Sequence, residues 1–116
     1  MTRSERSRLT DIRDRIDAIS VAEAFLDEGL DSDTGRIAFD EILYSLVVIG
    51  EAVKHLSSEV RNRHSHLPWS EITRLRDRLA HHYTQVDPSI IRRTIDRPVR
   101  DLRSIVETEL DRSPLA

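Results

Sequence analysis

The chain of 116 residues has no cysteine, which excludes disulfides, thiolate zinc sites and a cysteine nucleophile, and nothing in it requires an oxidising compartment. Aromatics are scarce, with one Trp, two Tyr and two Phe, so a core must be built from Leu, Ile and Val. Long apolar runs are missing too. The longest is Leu46-Val47-Val48-Ile49, far short of a bilayer span, and the charged start from Met1 to Arg8 has no apolar signal region behind it. A cytoplasmic protein without membrane contact is therefore expected. There is no alternating strand pattern, no repeat and no low-complexity tract. The length fits a single domain, 1–116. Chemistry, if there is any, must come from histidine, carboxylates, arginine or hydroxyls.

What is present in abundance is charge, unevenly spread. Residues 1–60 carry 7 basic and 13 acidic side chains, residues 61–103 carry 10 and 5, and residues 104–116 carry 1 and 3. The basic middle segment uses arginine throughout and holds four of the five histidines. Arginine forks onto phosphate oxygens better than lysine does, and histidine gains charge on mild acidification. The segment is a candidate nucleic-acid surface, although a solvated helix face gives the same pattern.

Apolar spacing gives the elements. Leu9, Ile12, Ile16, Ile19, Ala22 and Leu26 recur every three or four residues, predicting a helix from about Ser4 to Leu30 that ends near Gly29. Asp31 to Gly35 reads as a turn whose side chains cap the next helix. That second helix runs to about Leu56 and is apolar over a wide arc, with Phe39, Ile42, Leu46, Ile49, Val53 and Leu56 on one stripe and Leu43 and Val47 beside it. Such an arc needs two partners, either two helices of the same chain or one helix and a second subunit. Ser57 to Pro68 reads as a short helical turn and a connector. Trp69, Ile72, Leu75 and Leu79 mark a third helix, with Trp69 as its core anchor. Asp87-Pro88 starts the last segment, which continues to about Asp111 with a kink or break expected near Asp96 or Arg97 because of Pro98. Residues 113–116 are expected to fray. The architecture is all-α, an antiparallel bundle of four to five helices.

One stretch concentrates reactive groups: Arg76-Asp77-Arg78-Leu79-Ala80-His81-His82-Tyr83. On a helix, Asp77 and His81 are one turn apart on one face, while Arg76 and His81 are about 140° apart. Asp77 could orient His81. Arg76 and His81 could meet on one phosphate if the helix frays near His82 or a second copy crosses it. Such a set suits metal-free RNA cleavage, in which a neutral imidazole takes the proton of a ribose 2′-hydroxyl and a fixed guanidinium stabilises the charge on the phosphoryl oxygens. The alternative is a surface contact between residues four apart, worth a few tenths of a kcal/mol. His64-x-His66 and His81-His82 could suggest a metal, but such neighbours point apart and no His-Glu-x-x-His pattern occurs. No metal or cofactor is expected. Glu51 lies on an otherwise apolar stretch, where it either faces solvent or pairs with an arginine of the third helix.

With these residues in view, Arg76-Asp77-x3-His81-x-Tyr83 resembles the R-x4-H-x-Y signature of the HEPN superfamily, and specifically of the HepT-like toxins. Ile49-Gly50-Glu51-Ala52, Leu67-Pro68-Trp69 followed by Ile72, and Tyr83-x2-Val86-Asp87 match in the same order, over roughly residues 38–110. The resemblance implies a HEPN-like helical homodimer whose two motifs line a cleft, and a metal-independent endoribonuclease that inhibits growth. Arg76 and His81 would be the catalytic pair and Asp77 the polar residue after the arginine, where the family often has Asn. Arg78, His82 and Glu51 are candidate RNA-binding or supporting residues. The implied partner is a minimal nucleotidyltransferase antitoxin that transfers AMP to the motif tyrosine, here Tyr83. Ser65-His66 departs from the proline-acidic pair expected before Leu67. The readings left beside this one are a non-catalytic partner of a nucleotidyltransferase and an RNA-binding module that does not cleave.

Overall fold

A computed structural model of the chain describes residues 2–112. Helix α1 (Arg3–Leu26) begins where the Thr2 side chain accepts a hydrogen bond from Glu5 N, and it buries Leu9, Ile12, Ile16, Ile19 and Ala22. It stops at Leu26, short of the expected Leu30. Gly29 follows with φ of +84°, a conformation glycine adopts freely. The Ser32 hydroxyl donates to Gly29 O at 2.9 Å and accepts from Gly35 N at 3.0 Å. Ser32 is thus the N-cap of α2 (Asp33–Lys54), which absorbs the second half of the expected turn. A Cβ on Gly35 would collide with the Gly29 carbonyl, so the two glycines together allow this tight reversal.

The short α3 (Ser58–Arg63) is capped by Ser57 and leads through a connector to α4 (Trp69–His81). Trp69 is half-buried against the core, and its Nε1–H donates to His64 O at 3.0 Å. A 3₁₀ turn (Tyr83–Gln85) then leads to α5 (Pro88–Thr94), with Asp87 as its N-cap. The break expected at Pro98 is a wide π-helical turn, Ile95–Val99, which runs directly into α6 (Arg100–Arg112). Proline has no N–H and clashes with the carbonyl four residues back; the wider turn moves that carbonyl away, so the rod bends without ending. The fraying expected of 113–116 lies outside the described residues.

Cross-helix contacts make α1, α2, α4 and α6 an antiparallel bundle. Arg15 of α1 reaches Glu41 of α2 at 3.0 Å, and Arg103 of α6 reaches Asp17 of α1 at 2.9 Å. The wide arc of α2 is covered by α1 on one side and α4 on the other, both from the same chain, so the arc alone does not call for a second subunit. The buried Leu, Ile and Val side chains form one cluster, each worth about 1.5–3 kcal/mol on full burial. What stays bare is a stripe on the opposite face of α2, where Ile37 (69% exposed) and Tyr44 (57%) are seven residues apart. Among the described residues no helix is long and apolar enough to cross a membrane.

Candidate active site

The site is organised by the crossing of α2 and α4 at Gly50. A Cβ there would lie 2.7 Å from Cγ of Arg76, and nearer still to its Cβ. Glycine lets the two backbones approach so closely that Arg76 lies against α2, its side chain 26% exposed. Its guanidinium is held by two carboxylates, Glu51 at 2.9 Å and Asp77 at 3.2 Å. Glu51 therefore pairs with an arginine of the third long helix, and it also meets His55 Nε2 at 3.1 Å. Arg76 Nε is buried with no hydrogen-bond partner among the described residues.

Asp77 does not orient His81. Its carboxylate accepts from Lys54 Nζ of α2 and from Arg76, and it makes no hydrogen bond or ion pair with His81. Lys54 first and Arg76 second hold the Asp77 carboxyl below its usual range, so it is ionised and can only accept. Spacing along α4 pointed to His81, but a lysine from another helix competes for the same oxygen.

His81 is the last residue of α4, and His82 is the C-cap with φ of −138°. The helix thus stays regular through His81, and fraying does not bring the imidazole to Arg76. His81, Arg78 and His82 are all exposed, and among the described residues none of their side chains has a hydrogen-bond or ion-pair partner. Arg74, Arg78 and His81, spaced four and three apart, form one basic outer face of α4. Tyr83 leaves the helix and folds back toward α2, its hydroxyl donating to Asp40 Oδ1 at 3.5 Å. Partial burial, then the charge and hydrogen bonding of Asp40, push the phenol above its usual range.

The sequence reading missed a second polar centre. Glu109 of α6 is 1% exposed and accepts from Arg63 NH2 at 2.6 Å, from Arg63 Nε at 3.2 Å and meets His64 Nε2 at 2.7 Å. The Arg63 hydrogen bond, opposed by burial and aided by His64, holds its carboxyl below the usual range. The cluster pins the connector that leads into α4. Its signal was a carboxylate among Leu102, Ile105, Val106 and Leu110 on the apolar face of α6. His64 is thus engaged with a carboxylate, and its ring lies 6.2 Å from that of His66. Among the described residues no three His or carboxylate side chains converge as a metal site would need.

The sequence profile of a family described as "Ribonuclease HepT-like" matches residues 8–109. A protein of Thermococcus cleftensis named "Probable ribonuclease HepT" is 29% identical over 109 residues, which cover 92% of this chain and 96% of that one. A candidate RNase of Caldanaerobacter subterraneus subsp. tengcongensis is 44% identical over 68 residues, 59% of this chain and 61% of its own length. Another, from Methanocaldococcus jannaschii, is 40% identical over 85 residues, 64% of this chain and 70% of that one. No solved structure matches the chain significantly.

Proposed function

The chain belongs to the ribonuclease HepT-like family, and on that premise we propose that it is a metal-independent endoribonuclease and the toxin of a toxin-antitoxin pair, acting in the cytoplasm as a homodimer. The observation that carries this reading is the division of α4 into two faces: a fixed, half-buried Arg76 and an exposed, unpaired His81. The neutral imidazole takes the 2′-hydroxyl proton as that oxygen attacks the adjacent phosphorus. The bond to the 5′-oxygen breaks, leaving a 2′,3′-cyclic phosphate, and a second copy's His81, in its protonated form, returns a proton to the 5′-oxygen. Arg76 stabilises the charge on the non-bridging oxygens. Asp77 and Glu51 hold Arg76 in place, and Arg78 and His82 contact the RNA backbone.

The stripe of Ile37 and Tyr44 supports the dimer, because one further step of seven residues along that face reaches Glu51, the partner of Arg76. A copy packed there lies beside the motif. Tyr83 is the proposed acceptor of AMP from a minimal nucleotidyltransferase antitoxin. It is 44% exposed, and an anionic adduct there would repel RNA phosphate. The test is an RNA-cleavage assay in EDTA with wild type, His81→Ala and Arg76→Ala. Cleavage and growth inhibition are expected from wild type alone, with all three folded; folded wild type that cuts no RNA and harms no cell would end the nuclease reading.

One feature favours a second reading, a non-catalytic partner of the nucleotidyltransferase. Arg76 already has two carboxylates on it, so its charge is matched without any phosphate. That reading requires complex formation which survives His81→Ala and no cleavage by either form.

A further inference from the structure

Beyond Tyr83, at the end of the α2–α4 seam away from Arg76, lies a cavity of about 310 Å³, near the lower end of small-ligand sites. Its floor is apolar, made by Phe39, Leu43, Val86 and Pro88. Its polar groups are three: the Asp40 carboxylate, the Tyr83 hydroxyl bonded to it, and Arg36. Arg36 and Asp40 are one turn apart on α2, yet among the described residues the guanidinium of Arg36 has no ion-pair or hydrogen-bond partner. Asp40 and Glu51 are 11 residues apart on α2, about 16 Å along the helix. A strand whose phosphate sits at Arg76 therefore reaches this cavity a few nucleotides further on.

We propose that this cavity is a nucleobase subsite selecting guanine near the cleaved phosphate. The inference rests on the RNA reading above and adds to it the choice of base. Guanine is the base whose pairing edge presents two adjacent donors, N1–H and the 2-amino group, and a carboxylate offers two acceptor oxygens at matching spacing. Tyr83 uses one lone pair of Oδ1 and leaves the others free. The ring stacks on the Phe39 and Tyr83 side, as bases do on aromatic platforms, and Arg36 meets the flanking phosphate.

The test uses the 2′-O-methyl trinucleotides UGU and UUU, which cannot be cut because the attacking hydroxyl is blocked, titrated into the wild-type protein by NMR. Shifts are expected at the Leu43 and Val86 methyls, with UGU bound at least about tenfold tighter, the discrimination a good bidentate contact supplies. Asp40→Asn, a change at an exposed side chain, should bring UGU to the level of UUU without weakening UUU. Arg36→Ala should weaken both equally and flatten the salt dependence. Equal binding of the two trinucleotides, no shifts at Leu43 and Val86, or a preference that survives Asp40→Asn overturns the proposal. Selective binding by a protein that cleaves no RNA removes the nuclease reading and leaves the subsite standing. Cleavage without selective binding does the reverse.

Discussion

Gly50→Ala tests the helix crossing that holds the site together. Alanine in a helix interior is normally favoured over glycine by about 1 kcal/mol, so propensity alone predicts a more stable protein. The crossing predicts the opposite. The new methyl would meet Cγ of Arg76 at 2.7 Å and the Ile72 carbonyl at 3.4 Å, and would come closer still to Cβ of Arg76. A Cβ is fixed to the backbone, so no rotamer change relieves the contact and α2 and α4 must separate. Overpacking of this sort costs about 1–3 kcal/mol; a clash between two backbone-anchored atoms belongs in the upper part of that range. The expected net loss is about 1–2 kcal/mol, or roughly 5–10 °C in Tm, read by circular dichroism on heating and in urea. A double-mutant cycle sharpens the result. Arg76→Ala keeps its Cβ and should leave the cost of Gly50→Ala largely intact, whereas Arg76→Gly removes the obstructing atom and should turn it into a gain. Gly50→Ala that is neutral or stabilising in the wild-type background, or a cost that persists over Arg76→Gly, would refute the crossing as the reason for the glycine.

Glu109→Gln should cost about 2 kcal/mol at pH 7, the worth of hydrogen bonds to a charged group. Because the folded-state carboxyl is held below its ordinary value, that contribution is present above about pH 4.3 and is lost as pH falls through the folded value; urea titrations should show the two proteins converging at acid pH, and a constant gap would contradict the assignment. Asp40→Asn should lower the Tyr83 phenol only part of the way to its ordinary range, since burial is the first cause of its shift and Asp40 the second; a ¹³Cζ titration of the ring that does not move would rule out the Asp40 contact. If the site needs two copies, specific activity should fall on dilution through the dimer dissociation range. Ile37→Asp should reproduce that loss at higher concentration, and activity proportional to protein over the whole range would argue for a site complete in one chain.

The long helices were legible because the apolar residues of α1, α2 and α4 repeat at helical spacing, a local property of the chain. Asp87-Pro88 was legible for a similar reason: Asp87 Oδ1 accepts from Ser89 N at 2.9 Å, a bond between near neighbours. The end of α1 was not, since Leu26-Asp27-Glu28 suit a helix and the stop is imposed by packing of Gly29 against Gly35. Pro98 announced a disturbance without saying that a π turn would absorb it. The motif and its resemblance named candidate site residues, and pairing with an arginine was one alternative for Glu51, but spacing gave the wrong partner for Asp77 and none for Glu109. Asp77 meets Lys54, 23 residues away, and Glu109 meets Arg63, 46 residues away. Such choices depend on which helices become neighbours, and spacing within one helix cannot reveal them.

The pairings also set what the proposed chemistry must overcome. Arg76 faces α2 between Glu51 and Asp77, while His81 is turned about 140° away on a helix that stays regular to that residue. An incoming phosphate must displace a carboxylate or share the guanidinium with it. Two features lower that barrier. Lys54 already takes part of the Asp77 charge, which weakens its hold on Arg76, and the buried Nε–H of Arg76 lacks an acceptor, so a phosphate oxygen reaching it would gain a hydrogen bond that no described protein group makes. Neither feature turns His81 inward. The missing half of the geometry must come from a surface laid across α4, and the bare apolar stripe of α2 that leads to Glu51 is where such a surface would gain the most by burial. In the proposed dimer, the carboxylates around Arg76 would act as a brace that fixes the cation in a lone chain, and assembly would bring the second copy's His81 to it.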